Sequence, residues 1–328
     1  MTTPPPFPRR AALALLAAPA LARPGRAQDV EAFPARPVRL VVPFAAGSAT
    51  DVRARLFGAA MAADWGQPVV VDNRGGANGI LACEHVAAAA PDGHTVLFTA
   101  NTTHASNPAM YRRLPYDPVA DFAPVALLGT SMLFVLVNRD LPVRSVADLI
   151  AHAKARPGAL DFASGSASSR AAGELFKAMA GVEMTNVTYR ANPAAVTDLI
   201  AGTVPLAFID ATTATPQIRE GRVRALAVTA RSRSPALPDI PTVEESGLPG
   251  YEMLTWTAAY APARTPPAIV RRLNAKLVEI VSRPAMRARL LEDSTLARSS
   301  TPEELGRFTV EEIAKWRRIV ADARMEIE

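Results

Sequence analysis

A single cysteine, Cys83, stands in a chain of 328 residues, so no internal disulfide can brace the fold. It lies in an Ala-rich stretch of helical spacing and reads as a small buried hydrophobe rather than a nucleophile. There are only four histidines, His85, His94, His104 and His152. None falls in an HExxH pattern or beside cysteine at metal-ligand spacing, so each reads as a loop or helix-surface residue and no metal is expected. GxGxxG, GxxxxGK[ST], GxSxG and SxxK are all missing, which removes the common dinucleotide, P-loop and serine-acyl chemistries. Acidic pairs occur at Glu303-Glu304 and Glu311-Glu312, but on a late amphipathic pattern where they read as solvated surface. No catalytic constellation is left. The expectation is a protein that is not an enzyme and carries no cofactor.

Long apolar runs are scarce too. The clearest is an Ala/Leu run of about a dozen residues after Arg9-Arg10, too short for the roughly 20 residues a bilayer span needs. With the small residues that end at Gly25-Arg26-Ala27 it reads as an export signal over residues 1–27, the paired arginines permitting the twin-arginine route beside the general one. Four arginines and no acid lie in that segment. The formal charge of +5 from 36 basic and 31 acidic residues then falls to 32 against 31. The case for a nucleic-acid partner falls with it. A periplasmic location and a mature chain without a membrane span are expected.

What is present is alternation. Residues 37–43 (PVRLVVP), 68–71 and 95–100 read as strands. Helical patterns cover 51–65, with Val52, Leu56, Ala59, Ala60 and Ala63 on one face, and 80–90. Residues 101–124 have no clean period. A second block follows: an apolar stretch at 125–138 interrupted by Gly-Thr-Ser, helices at 145–156, 171–180, 193–201 and 216–220, and strands at 160–163, 184–189, 204–209 and 223–229. Residues 231–250 read as loop, 251–261 as strand, and 266–281 and 302–323 as long helices with proline in the first turn. Strand-helix alternation at this spacing predicts parallel α/β sheets. The two extended crossings near 125–137 and 251–261 suit a two-lobed molecule with a two-strand hinge. The expected division is 28–128 plus 253–328 as one lobe and 129–252 as the other.

Two loops are built alike. Ala45-Ala46-Gly47-Ser48-Ala49-Thr50-Asp51 and Ser164-Gly165-Ser166-Ala167-Ser168-Ser169-Arg170 each follow a strand and open a helix. The free N–H groups and positive dipole end of a helix N-terminus attract an anion, and small residues let it approach. In an open α/β sheet, ligands sit at the carboxyl ends of the strands, where both loops lie. One loop per lobe fits a dicarboxylate gripped from both sides.

The stretches RPVRLVVPFAAGSATDVRARL, PVVVDNRGGANG, AAPDGHTVLF, NPAMYRRLPYDPVADFAPV and DFASGSASSRAAGELFKAMAG carry a resemblance. So do VTYRANPAAVTDLIAGTVPLAFID, GRVRALAVTARSRSPALPDIPTVEESGLPGYE, APARTPPAIVRRLN and TPEEL. Together and in this order the chain resembles the substrate-binding proteins of tripartite tricarboxylate transporters, the Bug family of periplasmic receptors. The resemblance implies a type II-like periplasmic-binding fold of two α/β lobes and a small organic carboxylate as ligand. It also implies membrane permease subunits as partners. A periplasmic ligand sensor or an enzyme on the same scaffold is the alternative. Carried over residue by residue, it points to Phe44, Ala45, Ser48, Ala49 and Thr50 in the first loop. In the second it points to Ser164, Ser166, Ser168 and Ser169, and beyond it to Asp210. Departures fall at Ala45-Ala46-Gly47-Ser48, where the family usually reads Pro-Gly-Gly, at Arg170-Ala171-Ala172-Gly173 and at Tyr189-Arg190-Ala191. Arg170, a cation at a helix start, opposes the helix dipole. It is either a guanidinium offered to a ligand carboxylate or a solvated arginine. Asp210 either meets a ligand amine or hydroxyl, or caps the next segment.

Overall fold

Residues 38–42 carry VRLVV with four of five side chains buried, so β1 (Val38–Val42) runs through the interior of a sheet. The computed structural model describes residues 2–3 and 32–327. The export signal expected over 1–27 lies outside them apart from residues 2 and 3. After β1 come α1 (Ala49–Trp65), β2 (Val69–Asn73), α2 (Ile80–Ala87) and β3 (Thr95–Ala100). A π-helical turn (Thr102–Ser106) and α3 (Asn107–Met110) lead into the long β4 (Phe122–Val137). The second block is α4 (Val146–Ala155), β5 (Leu160–Ser164), α5 (Ala167–Ala180), β6 (Met184–Thr188), α6 (Asn192–Ala201), β7 (Leu206–Asp210), α7 (Ala211–Arg219) and β8 (Arg224–Val228). The chain ends with β9 (Leu254–Pro262), α8 (Pro267–Ser282), α9 (Pro284–Glu292), β10 (Thr295–Ala297) and α10 (Pro302–Asp322).

A ten-stranded sheet runs in the order β2-β1-β3-β9-β4-β7-β5-β6, with β8 and β10 also on β4. Its wings, β2-β1-β3 and β7-β5-β6, are parallel, as the alternation predicts. The centre is not. β9 and β4 are antiparallel to each other and to the wing strands they adjoin; β4, reached from β3 through the π-helical turn and α3, keeps the direction of β3, and β9, from later in the chain, runs the opposite way between them. β4 also stays continuous through Gly129-Thr130-Ser131, where a break is expected. There Gly129 and Ser131 are paired on both sides, with β9 and with β10, and a register shift absorbs the irregularity. β4 thus passes from one wing to the other, and β9 begins beside it at Leu254, opposite Met132. At that junction the buried Thr229 hydroxyl accepts from the Leu133 amide (2.8 Å) and donates to the Met253 carbonyl (2.6 Å), tying both crossings together.

Three apolar clusters hold the layers. Leu40, Phe57, Met61, Phe98 and Leu273 pack α1 and α8 onto one wing. Phe134, Leu199, Ile209 and Ala214 pack α6 and α7 onto the other. A larger cluster, with Leu97, Phe162, Phe176, Phe208, Tyr251 and Trp316, runs under both wings. Each fully buried residue of this size contributes about 1.5–3 kcal/mol.

Several elements depart from the pattern. The buried face of α1 is Thr50, Arg53, Ala54, Phe57, Gly58 and Met61, not the Val52–Leu56 stripe. The helix is so rich in alanine that apolar spacing fits two faces, and the bulky Phe57 and Met61 choose the core. α7 starts at Ala211 rather than 216 because the Asp210 side chain caps it. The second loop is shorter than expected, since α5 already begins at Ala167. α9 and β10 fill a region in which no element is expected. His94 and His104 are buried rather than at the surface. The His104 ring stacks on Tyr260 at 3.9 Å, its Nδ1 lies 2.9 Å from the Thr103 hydroxyl, and burial pushes its pKa down to about 3. Cys83 is buried on α2 as expected, its thiol pushed up to about 12 by burial.

Candidate functional site

The carboxyl ends of β1, β3, β5 and β7 converge on one cleft. From the end of β1 come Phe44, Ser48, Ala49 and Thr50, and from β3 Ala100, Asn101 and Thr102. From β5 come Gly165, Ser166 and Ser168, and from β7 Asp210. Arg190, Ala191, Asn192 and Pro193 follow β6, and Arg53, Thr255 and Trp256 complete the lining.

Each small-residue loop is pinned by its own side chains. Gly47 takes a left-handed φ of +81°, which lets the first loop turn into α1. Ser48 caps the helix by accepting the Asp51 amide at 3.3 Å. Asp51, at the third helical position, folds its carboxylate back: it accepts from the Gly47 amide (2.9 Å), Arg55 Nε (3.1 Å) and Asn73 Nδ2 (2.9 Å). Burial alone would raise this carboxyl, but those donors outweigh it and hold it below the ordinary carboxylate range. The amides of Ala49 and Thr50, at the first two helical positions, have no partner within the helix, and both residues line the cleft.

In the second loop Ser166 caps α5, accepting the Ser169 amide at 3.2 Å. Asn192 Oδ1 accepts from the Gly165 amide and from the Ser169 hydroxyl, both at 3.0 Å, while its Nδ2 donates to Asp210 Oδ2 at 2.6 Å. Gly165 is required by this contact: a Cβ there would sit 2.2 Å from the Asn192 nitrogen. Asp210 caps α7 through the Thr213 amide (3.0 Å) and also faces the cleft.

Phe44, Ser48, Ala49, Thr50, Ser166, Ser168 and Asp210 therefore share the cleft. Ala45, Ser164 and Arg170 line an adjoining open cavity, which Phe44, Ser166 and Arg190 border from the cleft side. Ser169 is buried beneath the loop and lines neither.

Arg53, Asn101, Asn192 and Trp256 line the cleft and are not singled out by the sequence pattern, and Arg190 appears there only as a departure from the family's usual residues. Arg53 leaves α1 on its buried face, one turn before Phe57, and a cation on the same stripe as Phe57 and Met61 is the signal that marks it. It is 5% exposed, and burial draws its guanidinium below its ordinary value against the opposing pull of Asp210 and Asp293. Asn101 Nδ2 donates to the Ser168 hydroxyl at 2.9 Å, joining the end of β3 to α5 across the cleft. Trp256 Nε1 donates to Glu312 at 2.9 Å. Glu312 is thus buried, not solvated, because an indole N–H held in the core needs an acceptor. Among the described residues, no group of histidine, cysteine, aspartate and glutamate could hold a metal ion. Nor is any helix among them long and apolar enough to cross a membrane.

A sheet of two parallel wings joined by two crossing strands, with a cleft at the strand ends between them, is the architecture of two-lobed α/β binding proteins. The sequence profile of the tripartite tricarboxylate transporter family receptor matches residues 53–325, and the chain belongs to that family of solute-binding receptors. A protein from the tcbD-tcbE intergenic region of Pseudomonas sp. strain P51 is 38% identical over 320 residues, 97% of this chain and 95% of its own. Among solved structures, R. palustris Rpa4515 with adipate superposes with a TM-score of 0.87 at 36% identity, covering 89% of this chain and 98% of the other. MatC from Rhodopseudomonas palustris with bound malate gives a TM-score of 0.82 at 35% identity, covering 88% and 100%.

Proposed function

We propose that this chain is a periplasmic receptor that captures a small organic carboxylate between two lobes and delivers it to the permease subunits of a tripartite transporter. The lobes are residues 28–128 with 253–328, and residues 129–252. They close about the paired crossings of β4 and β9, as hinged binding proteins do, and no bond in the ligand is made or broken. The observation that carries this reading is the convergence of two capped helix N-termini, α1 and α5, from opposite wings on one cleft. Two such ends present amides and dipoles to one anion. Phe44, Ser48, Ala49, Thr50, Ser166 and Ser168 form the carboxylate grip. Asp210 orients Asn192 and offers an acceptor to a hydroxyl or amine on the ligand. Ala45, Ser164 and Arg170 border the entrance from the adjoining cavity, and Ser169 fixes the loop from below. The adipate and malate held by the two R. palustris relatives support a carboxylate here. The family and the export-signal pattern of residues 1–27 support the periplasmic location.

The test is a thermal-shift screen over di- and tricarboxylates, aromatic acids and acidic amino acids, with turnover followed on every hit. A ligand at about a hundred times its Kd stabilises by about 2.7 kcal/mol, which for a chain of this size raises Tm by roughly 4 °C. A panel in which no carboxylate raises Tm, or a hit that is converted to product, sinks the reading.

A further inference from the structure

Arg53 is a buried cation with no counter-ion in contact. Its Nη1 donates to the Thr257 hydroxyl at 3.0 Å, and its Nη2 to those of Thr212 (3.0 Å) and Thr295 (2.9 Å). All three partners are neutral. Its Nε–H is buried and meets no acceptor. The two nearest acids are engaged elsewhere: Asp210 by Thr213 and Asn192, Asp293 by Arg289. An uncompensated charge taken out of water costs several kcal/mol, and a methionine or leucine would fill this position on the α1 stripe without that cost. Arg53 also lines the cleft, where its positive charge and the one Nη1 hydrogen that the threonines leave are what it offers a carboxylate. The Arg53 backbone lies about one helical turn along α1 from Ala49 and Thr50. One anionic group gripped at the helix ends thus leaves a second cationic station one helical turn away.

We infer that Arg53 is the specificity-determining residue for a second carboxylate, so that the receptor selects linear dianions over monoanions. This rests on the carboxylate-receptor reading above. Two of its threonine partners, on β9 and β10, belong to the same proposed lobe as α1 and aim the guanidinium before any ligand arrives, and Thr212 joins them from α7 of the other lobe.

The experiment compares adipate with hexanoate, equal in chain length and different by one carboxylate, by isothermal titration calorimetry on the purified chain, on Arg53→Gln and on Arg53→Lys. Wild type is expected to prefer adipate by at least about tenfold, the worth of a charge-assisted hydrogen bond. Arg53→Gln should reduce that ratio to about threefold or less, and Arg53→Lys should keep more of it. Wild-type protein that binds both acids equally well overturns the inference and leaves the receptor reading standing. So does a folded Arg53→Gln variant that keeps the full ratio. If Arg53→Gln does not fold, the wild-type ratio and Arg53→Lys decide: a Lys variant whose ratio exceeds wild type shows that the arginine does not read the second carboxylate. Wild-type protein that binds neither acid, while other carboxylates stabilise it, removes only the linear-dianion inference. Failure of every carboxylate removes both readings.

Discussion

Gly165 leaves no space for a side chain, since the backbone of Ala191 and Asn192 occupies the position a Cβ would take. Gly165→Ala must push α6 off the second loop and break the Asn192 bonds to Gly165 and Ser169. A loss of about 1–3 kcal/mol in urea unfolding is expected, as for other overpacked sites, with weaker ligand binding; an unchanged midpoint would show that the loop and α6 are not coupled. Asp51 gives a pH signature at the same scale. Its carboxyl is held below the ordinary value of 3.8, so its contribution to stability is complete above that pH and is lost as the pH falls below it. Asp51→Asn should be less stable than wild type at neutral pH, and the gap should narrow in acid as wild type loses the same charge. Equal gaps at pH 7 and pH 3 in denaturant melts would contradict this.

At the scale of elements, α10 holds its place partly by receiving an indole hydrogen bond. Glu312→Ala leaves the Trp256 N–H buried without an acceptor, a cost of about 1–3 kcal/mol. The variant should unfold earlier and shift the tryptophan emission, and a stability equal to wild type would show that water replaces the carboxylate. Glu312 also illustrates what the sequence conceals. Beside Glu311 it looks like one of two surface acids, and only the fold puts it under Trp256. The wings were legible because their βα units carry local punctuation: a short apolar run, a small-residue turn, and at α1 and α5 a serine cap, Ser48 and Ser166. The centre was less legible because β4 and β9 owe their direction to each other rather than to a local pattern. The two loops at the ends of β1 and β5 could be read from composition. Arg53, Asn101 and Asn192 could not, because their partners lie far away in sequence, such as Thr257 for Arg53 and Ser168 for Asn101. α1 failed for a local reason: an Ala-rich helix offers two nearly equal faces, and the wrong one hides the arginine.

For the whole molecule, many polar contacts between the proposed lobes gather where β4, β9 and β10 meet, such as Ser131–Ser294 and Ser234–Ser294, and fewer reach across the cleft. The Asn101–Ser168 pair, with hydrogen bonds of 2.9 and 3.2 Å, and the Arg53–Thr212 bond are two that do. A receptor has to open to admit its ligand, so its closed form is held by the ligand together with contacts of this kind. Removing one such contact, worth about 1 kcal/mol, shifts the open–closed balance and weakens apparent affinity about fivefold without touching the ligand. Asn101→Ala is the direct case, because Asn101 sits at the end of β3 and Ser168 in the first turn of α5. The variant should bind any ligand found by the screen several-fold more weakly, mostly through faster dissociation. Small-angle scattering should show a ligand-free radius of gyration at or above that of wild type and a liganded radius equal to it. An Asn101→Ala protein with wild-type affinity would mean that the cross-cleft pair does not contribute to closure.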